Sequence, residues 1–91
     1  MSVTVKLPTQ LRDAAGNQAE AQVDGATVGE ALDSLYSQHG ELRSRMADDG
    51  GGLRRFVNVY LGGEDIRFLE GLDTPVSDGD ELTILPAVAG G

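Results

Sequence analysis

Thr27-Val28-Gly29-Glu30-Ala31-Leu32-Asp33-Ser34-Leu35-Tyr36-Ser37-Gln38-His39-Gly40 is the stretch on which the fold turns. Thr27 with Glu30 three residues on is a capping-box pattern, in which each side chain satisfies a backbone donor at the start of a helix. Behind it Val28, Ala31, Leu32, Leu35 and Tyr36 fall at i, i+3, i+4, i+7 and i+8, a single apolar stripe at helical period. Asp33, Ser34 and Ser37 point the other way. Gly40 stands where a C-terminal cap belongs. The spacing predicts one amphipathic helix with its stripe against a core.

On the N-terminal side, Val3, Val5 and Leu7 alternate with Thr4 and Lys6, so residues 2–7 read as a half-buried strand. Pro8 cannot donate to a sheet and closes it. Gly16-Asn17 marks a turn, and Ala19, Ala21 and Val23 alternate with Glu20 and Gln22 as the second arm of a hairpin that Asp24-Gly25 ends.

On the C-terminal side, residues 41–47 predict a further short helical turn with Leu42 and Met46 inward, and Asp48-Asp49-Gly50-Gly51-Gly52 a flexible loop. Phe56-Val57-Asn58-Val59-Tyr60-Leu61 is rich in strand formers and reads as a central strand. Gly62-Gly63 is a two-residue hairpin turn leading into residues 64–67. Residues 68–76 are irregular, with Gly71 and Pro75 as breakers. Ser77-Asp78-Gly79-Asp80 is a tight turn, Glu81-Leu82-Thr83-Ile84-Leu85 the last strand, and Pro86 its end.

Two hairpins around one amphipathic helix do not make a doubly wound sheet. The economical solution is a mixed sheet of four or five strands packed on the main helix, first and last strands parallel at its centre. That is the β-grasp architecture, expected over residues 1–85, with an extended tail at 86–91.

The chain has 91 residues, enough for one domain. At this size folding buries roughly 60–65% of the unfolded chain's surface. Hydrophobic residues make up 40% but aromatics only 4%, so the core is built of Val, Leu, Ile and Ala. The absence of cysteine excludes disulfides, a thiolate nucleophile, Cys-type zinc sites and iron–sulfur clusters. A formal charge of -8 argues against nucleic acid and favours a partner with a basic docking surface. The longest apolar run near the end is too short to span a bilayer. The first residues lack a secretory signal. No nucleic-acid or membrane partner is expected, and a cytoplasmic location is.

The last residues, Pro86-Ala87-Val88-Ala89-Gly90-Gly91, point to chemistry. A terminal glycine pair offers a carboxylate that no side chain shields, on a backbone open to conformations closed to other residues. Pro86 stiffens the exit and lowers the ordering cost when the tail docks. Fully extended, residues 86–91 reach up to roughly 20 Å, enough to thread an enzyme channel.

Taken together, Arg55-Phe56-Val57-Asn58-Val59-Tyr60, Glu64-Asp65-Ile66-Arg67-Phe68 and the run from Asp78-Gly79-Asp80 to Gly90-Gly91 resemble the ubiquitin-like sulfur carrier proteins, over the whole chain. These include the small subunit of molybdopterin synthase and the sulfur carrier of thiamine biosynthesis. The tail Leu-Pro-Ala-Val-Ala-Gly-Gly is most similar to the actinobacterial branch that serves cysteine biosynthesis. Molybdopterin-type carriers commonly have a second proline where Ala87 stands.

The resemblance implies that Gly91 is the reacting residue. A ubiquitin-activating-type adenylyltransferase and sulfurtransferase, using ATP and magnesium, would adenylate its carboxylate and convert it to a thiocarboxylate. Pro86, Ala87, Val88, Ala89 and Gly90 would contact the partner enzymes. In the cysteine branch the acceptor enzyme is a pyridoxal-phosphate-dependent synthase acting on O-phosphoserine, and a metallopeptidase releases the cysteine. The chain itself would bind no cofactor and no metal, and would be a cosubstrate, not an enzyme. Two alternative outlets are sulfur donation to the molybdenum cofactor and a ubiquitin-like modifier. Lys6, the sole lysine, leaves a modifier one internal linkage site. A third alternative is an interaction domain without covalent chemistry.

Other residues have plainer readings. His39, the only histidine, has no catalytic partner in sight and is expected in the last helical turn, near the negative end of the dipole. Asp48-Asp49 and Asp78-Asp80 lack the spacing of a calcium loop and read as turn formers. Gly50-Gly51-Gly52 lacks the Lys and Ser/Thr of a phosphate loop. Arg54, Arg55 and Arg67 predict local ion pairs. Phe56, Tyr60 and Phe68 have the spacing of core or interface residues, with core favoured.

Overall fold

A computed structural model describes residues 1–50, 52–54 and 57–86, with Pro86 described by its backbone alone. The expectations for Gly51, Arg55, Phe56 and the tail residues Ala87, Val88, Ala89, Gly90 and Gly91 lie outside the described residues.

The alternating N-terminal segment forms β1 (Ser2–Lys6), with Val3 and Val5 buried between Thr4 and Lys6. Past Pro8 the chain does not run straight to the hairpin turn. It makes a short helix, α1 (Thr9–Arg12), and a 3-10 turn (Asp13–Ala15) that buries Ala14 and Ala15. Gly16 and Asn17 then take left-handed conformations and return the chain as β2 (Glu20–Asp24). β2 pairs antiparallel with β1 from Ser2–Asp24 to Lys6–Glu20, as the alternation requires.

The main helix is α2 (Val28–Gln38). Thr27 Oγ1 accepts from the Glu30 amide at 3.2 Å, while Glu30 Oε1 reaches one residue further back than the ideal capping box, to the Ala26 amide at 3.0 Å. Gly25 lets the chain pass the helix closely: a Cβ there would sit 2.5 Å from the Ala31 nitrogen. Val28, Ala31, Leu32 and Leu35 are buried, as the stripe predicts. The expected glycine cap is replaced by His39, whose extended backbone (φ -136, ψ 82) ends α2 and immediately starts α3 (Gly40–Met46). Gly40 is thus the first residue of a second helix. Leu42 and Met46 are fully buried on α3, as expected.

Asp48 organises the described part of the following loop, its Oδ1 accepting from the Gly50 and Gly52 amides at 2.9 Å each. Arg54 forms no ion pair among the described residues. It caps α3, donating from Nη2 to the Ser44 carbonyl at 3.0 Å.

β3 (Val57–Leu61) and the two-residue β4 (Glu64–Asp65) are joined by Gly62 and Gly63, both at positive φ as a two-residue hairpin turn demands. A 3-10 turn (Ile66–Phe68) and another (Gly71–Asp73) lead to β5 (Glu81–Pro86), which runs one residue past its expected end. The sheet order is β2-β1-β5-β3-β4, so the first and last strands do lie side by side at the centre, in parallel. β3 lies beside the edge strand β4. Val3, Val5, Val59, Leu82 and Ile84 form the inner sheet face, and Leu32, Leu35, Leu42 and Met46 close over it. This is a β-grasp fold.

Leu32→Ala or Leu35→Ala is expected to cost about 2–5 kcal/mol, the range for large-to-small changes at buried sites. Denaturant unfolding checks this: surface-sized losses at both positions would contradict the packing of α2.

Candidate functional site

The candidate site is the end of β5, from which the tail departs. Its strand is fixed from below by the Asp78-Gly79-Asp80 turn. The Asp80 amide donates to the Ser77 carbonyl at 3.0 Å, Asp80 Oδ2 accepts from the Ser77 amide at 2.8 Å, and Gly79 takes φ +88. The turn is also tied to β1: Asp78 Oδ1 accepts from the Ser2 amide at 2.8 Å, the Gly79 amide donates to the Ser2 carbonyl at 2.8 Å, and the Thr4 amide to the Asp80 carbonyl at 3.0 Å. Both aspartates therefore build a turn, as the sequence predicts.

Above the turn, β1 accompanies β5 only as far as the Lys6–Thr83 pair, whereas β3 follows it through Asn58–Leu85 to Val57–Pro86. Alternation along β5 turns Leu82 and Ile84 into the core and leaves Leu85 45% exposed on the outer face. Its cross-strand partner Asn58 shares that face. Asn58 Oδ1 accepts from Arg67 Nη2 at 2.8 Å, and Arg67 donates from Nε and Nη2 to the buried carboxylate of Asp65, the closest contact 2.8 Å. The Arg67 amide also donates to Asp65 Oδ1 at 2.9 Å. These hydrogen bonds, the guanidinium's before the amide's, hold the Asp65 carboxyl below the usual aspartate range. The ion pair expected of Arg67 is present.

Phe68 corrects the expectation of a core aromatic. It is 83% exposed, because the 3-10 turn that buries Ile66 carries the residue two places on outward. Tyr60 is half-buried on β3. Phe68, Arg67, Asn58 and Leu85 thus lie in sequence or contact succession beside the tail exit. Sequence reasoning had not assembled them. The available signal was alternation in β3: burying Val57 and Val59 turns Asn58 and Tyr60 outward.

Of the predicted site residues, Pro86 is the last residue of β5. His39 lies between α2 and α3, its amide bonded to the Leu35 carbonyl at 2.9 Å. Among the described residues no helix is long and apolar enough to cross a membrane.

The comparisons with known proteins agree with this geometry. The model of the ThiS family matches residues 5–91. The chain is 45% identical over 93 residues to the sulfur carrier protein CysO of Mycobacterium tuberculosis, covering all of both sequences. Its structure is similar to one chain of the CysO/BexX complex of Amycolatopsis orientalis, with a TM-score of 0.89, 48% identity, and coverage of 98% of this chain and 99% of that chain. It is likewise similar to SAMP1 of Haloferax volcanii, with a TM-score of 0.85 and 38% identity over the full length of both chains.

Asp65→Asn is expected to weaken the fold near neutral pH and flatten its acid limb. Because the folded carboxyl titrates below its unfolded value of about 4, its contribution is present above that value and lost as pH falls through the folded one. Melting temperature against pH checks this: parallel profiles for wild type and variant would contradict it.

Proposed function

Because the chain belongs to the ThiS family of ubiquitin-like sulfur carriers, we propose that it carries sulfur as a thiocarboxylate on Gly91 and delivers it to cysteine synthesis. The supporting observation is full-length similarity to a sulfur carrier, from the β-grasp body through to residue 91.

The chemistry assigned to this chain is that of a single carboxylate. A Gly91 oxygen attacks the α-phosphorus of ATP on an activating enzyme, and pyrophosphate leaves. Magnesium and basic groups of that enzyme offset the phosphate charge. A sulfurtransferase persulfide then attacks the acyl carbon and AMP leaves. A thiol reduces the acyl disulfide, freeing the thiocarboxylate. In the cysteine outlet, its sulfur adds to the electrophilic acceptor that a pyridoxal-phosphate synthase forms from O-phosphoserine. Acyl transfer from sulfur to nitrogen leaves cysteine amide-linked to Gly91, and a metallopeptidase hydrolyses that amide.

This chain's residues serve access and recognition. Gly90 and Gly91 place no side chain at the reacting carbon, and Ala87 and Ala89 are small enough for a narrow channel. Pro86 ends the strand and stiffens the start of the tail. The acidic body favours enzymes with basic rims, so added salt slows the encounter.

A second reading is favoured by the likeness to SAMP1, a small archaeal modifier protein. The same adenylate would then end as an isopeptide on a target lysine. Both readings use Gly91, and they part at the acceptor.

Deleting Gly91 is expected to abolish ATP–pyrophosphate exchange by the activating enzyme and leave the thermal melt unchanged. Exchange by the truncated chain would contradict the mechanism. With the thiocarboxylate form in hand, a pyridoxal-phosphate synthase given O-phosphoserine is expected to lengthen the chain by one cysteine. Conversion of a pterin precursor with a molybdopterin synthase large subunit, O-phosphoserine untouched, would move the outlet to the molybdenum cofactor.

A further inference from the structure

Among the described residues four large apolar side chains are exposed: Met1, Phe68, Leu69 and Leu85. Three of them are linked to the end of β5. Leu85 lies opposite Asn58 on the outer sheet face, Asn58 holds Arg67, and Phe68 and Leu69 are the next residues of the chain. One exposed apolar side chain on a protein surface needs no explanation, but a group of them at one margin marks an interaction site.

The turn that carries Phe68 is held from within. Ile66 is anchored in the core, and its carbonyl accepts from the Leu69 amide at 3.0 Å. The Glu70 amide donates to Thr74 Oγ1 at 3.0 Å, and the same hydroxyl, on a buried residue, donates to the Gly71 carbonyl at 2.7 Å. The backbone at Phe68 is thus set by hydrogen bonds on both sides, while solvent covers most of its ring. Docking such a ring costs little ordering of the chain.

Arg67 adds a polar point beside it. Its Nε and Nη2 are taken by Asp65 and Asn58, and Nη1 makes no hydrogen bond among the described residues. The side chain is 66% exposed, and Asp65 offsets its charge. The free edge of this oriented guanidinium suits a neutral carbonyl oxygen.

We propose that Phe68 is the anchor by which the activating enzyme holds the body of this chain. The ring enters an apolar pocket of the enzyme, Arg67 Nη1 donates to a main-chain carbonyl at the rim of that pocket, and Leu69 and Leu85 widen the apolar contact. The inference rests on the adenylation reading above and names the surface by which that partner is recognised. Reach and composition select the occupant. Residues 87–91 extend at most roughly 17 Å, so an enzyme acting on Gly91 must cover groups beside the end of β5. Those five residues carry no side chain larger than that of Val88 and no charge but the terminal carboxylate. An enzyme that selects this chain in its unmodified form therefore has to read the body. Buried aromatic and arginine side chains are the ones that dominate interface energies. A second copy of this chain is a poor occupant, because it would bring together two bodies of formal charge -8.

The test uses the full chain and the host enzyme that exchanges pyrophosphate with ATP in response to it. Phe68→Ala removes the ring, Phe68→Leu keeps an apolar side chain, and Ser37→Trp, at an exposed position on α2, is the control. Phe68→Ala is expected to raise the KM for the chain about tenfold or more with kcat unchanged. Phe68→Leu falls between it and wild type, and the control keeps wild-type kinetics. Melting curves of the Phe68 variants match wild type, because the ring is exposed. Salt separates the anchor from charge steering: it raises the KM of wild type and of Phe68→Ala by the same factor, so their ratio holds. Wild-type KM in folded Phe68→Ala, a fall in kcat alone, an equal KM rise in the control, or a ratio that salt abolishes would overturn the anchor while leaving adenylation standing. A concentration-dependent dimer in sedimentation, lost in Phe68→Ala with KM unchanged, would assign the ring to a second copy and overturn it too. Absence of exchange with the wild-type chain would overturn the adenylation reading and the anchor with it.

Discussion

The parallel pairing of β1 with β5 is the constraint on which the molecule depends. It joins residues about eighty positions apart, and loop-closure entropy must be overcome before it returns any stability. The Asp78-Gly79-Asp80 turn offsets that cost locally. It closes on itself through Ser77 and docks on Ser2 and Thr4, so β5 starts in register with β1. With β5 held there, its inward residues Leu82 and Ile84 join the core under α2 and α3, and its last residues stay paired with β3 through Val57–Pro86.

That arrangement leaves the packed body on one side of the sheet and the strand end of the proposed function at its margin. Most of the buried aliphatic side chains belong to the sheet and the two longer helices, with Ala14, Ala15 and Ile66 added by 3-10 turns. The groups beside the β5 exit are of another kind: Leu85 and Phe68 exposed, and Arg67 held against Asp65 and Asn58.

Much of this was legible in the sequence, for reasons that are local. The α2 stripe is set by helical period, the hairpin at Gly62-Gly63 by the need for positive φ, and β1 and β2 by alternation. The helical turns over Thr9–Ala15 were missed because each is short and Pro8, read as a terminator, also begins them. Gly40 was expected to cap α2, yet His39 ends it with an ordinary extended conformation, so no left-handed residue is needed. The spacing of Phe68 favours the core, and the 3-10 turn decides otherwise. Asp65 and Arg67, two apart, share a face in a strand but stand well separated along it; the close pair forms because β4 ends at Asp65, which caps the 3-10 turn that carries Arg67.

The central claim is that sulfur rides on Gly91. Intact-mass spectrometry of the chain isolated from its native host tests it most directly. The account predicts a population in which one C-terminal oxygen is replaced by sulfur, localised to Gly91 by fragmentation. Recovery of only unmodified chain and lysine-linked conjugates would contradict it.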